Sequence, residues 1–234
     1  MKPGTAQRYY LQTLGVDIYI DRNSREVSLP PAVPGPRKPP GRTKAAGNDA
    51  VWVELEKRVS GCTLCDLHKN RTQTVFGVGS RSADWLIIGE APGRDEDRQG
   101  EPFVGRAGKL LNAMLHAVGL DRQEVFIANI LKCRPPKNRD PKPEEVRCCE
   151  PYLKQQIELI QPKIILALGR VAAQNLLRVD TPIGRMRGQQ YEYPEPRVPV
   201  VVTYHPAYLL RSPREKRKSW QDLQLAMKIY RAAQ

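Results

Sequence analysis

Apolar residues fall into two kinds of pattern along this chain. From residue 84 onward, short β-branched runs recur: Trp85-Leu86-Ile87-Ile88, Val125-Phe126-Ile127-Ala128, Ile164-Ile165-Leu166-Ala167-Leu168 and Val198-Pro199-Val200-Val201-Val202. Continuous apolar runs of this length predict four buried strands. Between and after them, apolar residues return at helical spacing over Ala107 to Val118, Glu144 to Ile160, Val171 to Leu177 and Trp220 to Tyr230. Strand, helix, strand in repetition predicts a mostly parallel sheet covered on both faces.

The amino-terminal part reads differently. Arg8 to Leu14 is a short amphipathic stretch, Val16 to Ile20 is strand-like, and Leu29 to Gly41 is so rich in Pro and Gly that an extended tether is expected. A boundary near residue 48 follows, with an extension over 1–48 and one catalytic domain over 49–234. No run of about 18 apolar residues is present and Met1 opens no signal pattern, so a soluble, cytoplasmic protein without membrane contact is expected. The formal charge of +13 points to a polyanionic partner, nucleic acid first, because each cation set against a phosphate releases counterions. A merely solvated basic surface is the plainer alternative.

In a parallel sheet the ligand crevice lies beyond the carboxyl ends of the strands. Those ends carry Gly89-Glu90-Ala91-Pro92-Gly93, Asn129, Gly169-Arg170 and Tyr204-His205-Pro206, so carboxylate, amide and imidazole converge on one rim. Five cysteines without a secretory signal argue against a disulfide framework and leave metal binding, catalysis or burial. Cys62 and Cys65 form a CxxC pair, and Cys133 and Cys149 bracket a Pro-rich loop, so four thiolates can close one site. Spacing alone leaves zinc and iron–sulfur equally open, and does not separate Cys149 from its neighbour Cys148.

Gly89-Glu90-Ala91-Pro92-Gly93, Glu96-Asp97, Gly100 to Gly108, Asn129, Lys132-Cys133-Arg134-Pro135-Pro136 and His205-Pro206-Ala207 together resemble the family 4 uracil-DNA glycosylases, over about residues 55 to 234. The resemblance implies a three-layer α/β/α sandwich with a central four-stranded parallel sheet. It implies a [4Fe–4S] cluster on Cys62, Cys65, Cys133 and Cys149, leaving Cys148 outside the site. It implies a substrate of uracil-containing DNA, a base flipped into a pocket, and hydrolysis of its N-glycosidic bond at the start of base excision repair. Phe103 would stack on uracil and Asn129 would read O4 and N3–H, with Gly89 and Ala91 on the same pocket wall. His205 would stabilise charge on O2. Better-known uracil glycosylases have an aspartate where Ala91 stands, so Glu90 is the candidate for water or sugar positioning and Glu96 for the wall near uracil C5. Leu209 would be the wedge that enters the duplex, and Arg214, Lys216, Arg217 and Lys218 are candidates to hold phosphates, with a solvated helix start as the plainer alternative.

Two competing readings use the same residues. A non-catalytic DNA-binding module with a four-cysteine metal site draws on Ala91. A relative that bonds covalently to the abasic sugar would need a basic, His-containing insertion that this chain lacks. Tyr10 to Val16 is similar, over that short stretch, to the amino end of the psi subunit of bacterial clamp loaders, which implies a replication or repair partner for residues 1–20; a disordered basic arm is the alternative. The glycosylase domain itself is expected to act as a monomer.

Overall fold

The computed structural model describes residues 47–233; the expectations for residues 1–46, including the partner-binding stretch and the tether, lie outside them. A first helix, α1 (Gly47–Ser60), leads through the CxxC turn to the short strand β1 (Val78–Gly79). The parallel core follows: β2 (Trp85–Gly89), β3 (Phe126–Asn129), β4 (Ile164–Leu168) and β6 (Val198–Thr203), all close to the strands predicted from the apolar runs. Its helices are α2 (Arg94–Gln99), α3 (Arg106–Ala117), α4 (Pro143–Ile160), α5 (Arg170–Leu177), α6 (Ile183–Met186), α7 (Pro206–Arg211) and α8 (Lys216–Ala232). A further strand, β5 (Gln190–Tyr193), precedes β6.

Among the described residues the sheet has six strands in the order β1-β3-β2-β4-β6-β5, not four. The inner four are parallel, and β1 and β5 add antiparallel edges. Neither edge has an apolar run to betray it: β5 alternates exposed Gln190 and Glu192 with half-buried Tyr191 and buried Tyr193, as an edge strand with one wet face does.

Alternation along the inner strands divides the core in two. Leu86, Ile88, Ala128, Ile165, Ala167, Val200 and Val202 face a cluster with Trp52, Leu55 and Val59 of α1 and with residues of α4 and α5. Trp85, Ile87, Ile127, Leu166 and Val201 face the opposite cluster, with Leu111 and Met114 of α3, Leu209 of α7 and Leu223 of α8. Helices therefore cover both faces of the sheet. Among the described residues, no helix is long and apolar enough to cross a membrane.

Candidate active site

Parallel pairing brings the strand ends level. Gly89 is the register partner of Asn129, and Leu168 that of Thr203, so Glu90, Asn129, Gly169 and His205 open on one rim. Asn129 is 2% exposed and its Oδ1 has no hydrogen-bond partner among the described residues. A buried acceptor left open costs free energy unless a ligand fills it, which makes this amide the clearest sign of a binding pocket. Gly89 is glycine for lack of room: a Cβ there would lie 2.4 Å from Asn129 Oδ1 and 2.6 Å from Phe103 Cζ.

Phe103 completes the wall. It is 6% exposed, and its ring stacks beside the His205 ring at 5.6 Å between centroids and 30° between planes. Its backbone has φ of 54°, the left-handed region that bulky residues rarely enter. Such strain persists only where the surroundings impose it, and it concentrates at functional sites. Gly108 makes room for it, since a Cβ there would sit 1.7 Å from the Phe103 carbonyl oxygen.

His205 caps α7, and its Nδ1 accepts a hydrogen bond from the Ala207 N–H at 3.1 Å. Burial, reinforced by the positive charge of Arg211, lowers its pKa to about 4. The imidazole is thus neutral at physiological pH with its proton on Nε2, the form that donates to an oxygen without itself being acidic. Glu90 moves the other way: burial, and then the charge of Asp140, push it up to about 7 against the pull of Arg170. A carboxyl group poised there exchanges a proton easily near neutrality. Ala91 is half-buried and packs on the core, so no carboxylate stands at that position.

Two of the assigned side chains are engaged within the protein itself. Glu96 does not present a free carboxylate to the pocket: Oε2 accepts from Gly93 N–H at 3.1 Å, and Oε1 from Val104 and Gly105 N–H at 3.1 and 3.3 Å. It ties down the loop that carries Phe103. Leu209 is 1% exposed within the core cluster under α7, so it anchors that helix and is not displayed to a duplex. Its neighbour Tyr208 is 36% exposed and packs against Tyr204 at 5.0 Å. The helical period explains the exchange, because one face of so short a helix must be given to the core. Arg211, Arg214, Arg217 and Lys218 are exposed along the same edge, and Lys218 pairs with Glu215 at 2.8 Å.

Cys62, Cys65, Cys133, Cys148 and Cys149 all line one small cavity beside Leu67, Arg71, Lys132 and Tyr152. Among the described residues no group of three or more such ligands is drawn tightly around a single ion. The surroundings nonetheless fit an anionic thiolate group. Arg71 donates to Cys133 Sγ at 3.2 Å and the Lys132 main-chain N–H to Cys149 Sγ at 3.3 Å. Burial pushes the Cys65 and Cys133 thiols up, and Cys149 to about 12, so a cationic partner is needed to hold them as thiolates. Lys132, 1% exposed, donates its Nζ to Asn129 O at 3.1 Å and to Gln156 Oε1 at 2.6 Å, both of them neutral acceptors. Sequence reading gave this lysine no role, although a lysine directly after the apolar pair Ile130-Leu131 signals a buried cation in need of an anion.

A family model for the uracil DNA glycosylase superfamily matches residues 76–224. The chain is 50% identical over 167 residues to the type-4 uracil-DNA glycosylase of Archaeoglobus fulgidus, a match covering 69% of this chain and 84% of that one. It is 44% identical to the type-4 uracil-DNA glycosylase of Sulfurisphaera tokodaii, over 68% of this chain and 76% of that one. To the type-4 uracil-DNA glycosylase of Pyrobaculum aerophilum it is 42% identical, over 73% and 90% respectively.

Proposed function

The chain belongs to the uracil-DNA glycosylase superfamily, alongside its type-4 enzymes, and from that premise we propose how its own residues remove uracil from DNA as the first step of base excision repair. It is a DNA glycosylase, which sets aside the reading of a non-catalytic binding module. The observation that carries the residue assignment is the unpartnered Asn129 Oδ1 at the strand rim, between Gly89 and Phe103.

A flipped uracil enters beside Phe103 and stacks on its ring, offsetting the few kcal/mol spent on unstacking. Asn129 Oδ1 accepts from N3–H and the amide nitrogen donates to O4; cytosine reverses both polarities at that edge and leaves buried groups unmatched. As the glycosidic bond breaks, negative charge grows on the base, and His205 Nε2–H donates to O2. Glu90, ionised, accepts the proton of the attacking water or steadies the cationic sugar. Tyr208, not Leu209, takes the position facing the duplex. We assign Cys62, Cys65, Cys133 and Cys149 to a [4Fe–4S] cluster, which supplies a rigid clip between loops in place of redox chemistry.

Asn129→Asp tests the recognition step. It keeps the acceptor for N3–H and loses the donor for O4, so excision from a uracil oligonucleotide, read as alkali-labile breaks, is expected to fall by about tenfold or more, with weak cytosine excision emerging. Unchanged uracil kinetics would place recognition on another residue.

A further inference from the structure

Phe103 is held in its left-handed conformation from both sides. After it, the Val104 and Gly105 N–H groups bond Glu96. Before it, the Pro102 carbonyl accepts from Arg122 Nη2, which also bonds Glu101 Oε1 at 3.1 Å, while Arg122 Nη1 donates to Asn112 Oδ1 of α3 at 3.3 Å. Arg122 lies in the loop between α3 and β3, distant in sequence from Phe103, and its side chain is 20% exposed. A planar guanidinium bridging three acceptors fixes both the position and the tilt of what it holds.

We propose that Arg122 is a positioning residue of the glycosylase, clamping the Pro102 carbonyl so that the Phe103 ring stays beside His205 as one face of the uracil slot. This rests on the reading that Phe103 stacks on uracil. Its ordinary alternative is a surface arginine that merely ties a loop to α3. The clamp differs in its consequence: Arg122 acts on excision through Phe103, so its effect vanishes once the ring is gone. Misplacement of a contact group by an ångström is enough to slow an enzyme substantially.

The test is a double-mutant cycle on the full chain, read by single-turnover excision from a uracil-containing single strand and by inhibition with free uracil. Arg122→Met is expected to slow excision about tenfold and weaken uracil inhibition about as much, and Arg122→Lys, which can still reach one carbonyl, to recover part of both. In the Phe103→Ala background, Arg122→Met should change either readout by less than about twofold. An equal loss in both backgrounds would overturn the inference and leave Arg122 a loop tie. Parental excision by Phe103→Ala alone would overturn the stacking reading, and the inference with it. A shift in melting temperature shared by Arg122→Met and Arg122→Lys, without the partial recovery of rate, would also count against the clamp.

Discussion

His205 and Glu90 lie on the same rim, yet their burial acts in opposite directions on proton occupancy. The imidazole is held at about 4 against an ordinary 6.5, so between those values the unfolded chain binds more protons and stability rises with pH, to be lost as pH falls toward 4. The Glu90 carboxyl is held at about 7 against an ordinary 4.5, so across that window the folded chain binds more protons and stability falls as pH rises. Activity separates them more sharply. If ionised Glu90 is the working form, excision climbs with pH through about 7, while His205 stays neutral and contributes no limb. His205→Ala should slow single-turnover excision by about a hundred- to a thousandfold and keep the limb. Glu90→Gln should slow it by about a hundredfold and abolish the limb. A rate profile that kept its acid limb without Glu90 would transfer the titration to another group, with Asp222, raised to about 6 behind β6, next in line.

At the scale of elements, what the sequence disclosed was whatever is buried on both sides. The inner strands and α3, α4, α5 and α8 announce themselves because continuous or helically spaced apolar residues have no other use. The edge strands β1 and β5, and the four-residue α6, lack that signal. α1 has it faintly, in Trp52, Leu55 and Val59. The site was legible by type: amide, imidazole and carboxylate at strand ends follow from topology. Orientation within a short helix was not, since choosing between Tyr208 and Leu209 requires knowing which side of α7 meets α3. This yields a paired prediction. Leu209→Ala should leave a cavity and lower stability by about 2–5 kcal/mol, seen in thermal or denaturant melts. Tyr208→Ala should leave the melt unchanged and reduce excision from duplex DNA several-fold while sparing single strands, where no base needs to be displaced. Loss of duplex activity with Leu209→Ala in a variant of parental stability would restore the leucine as the wedge.

Across the whole molecule, the cysteine cavity joins segments that the sheet does not: the turn after α1, the loop after β3, and α4. It also lies one residue from the active site, because Lys132 bonds Cys149 through its N–H and the Asn129 carbonyl through its ammonium. Damage to the cavity should therefore reach uracil recognition and not stability alone. The adjacent cysteines allow this to be tested within one helical step. Cys149 is 6% exposed and its sulfur accepts a hydrogen bond, as a thiolate ligand does. Cys148 instead gives its S–H to the Leu64 carbonyl at 3.3 Å, which supports leaving it out of the ligand set. Cys149→Ser is expected to yield a colourless protein with little iron, a lowered melting temperature and excision reduced at least tenfold, in line with the loss of one ligand and of the support beneath Asn129. Cys148→Ser should keep the brown chromophore, the iron content and the excision rate of the parent. Iron assay and the visible spectrum of anaerobically purified variants decide the matter: retention of the chromophore by Cys149→Ser together with its loss in Cys148→Ser would exchange the two roles, and stoichiometric zinc in the parent would replace the cluster with a single structural ion.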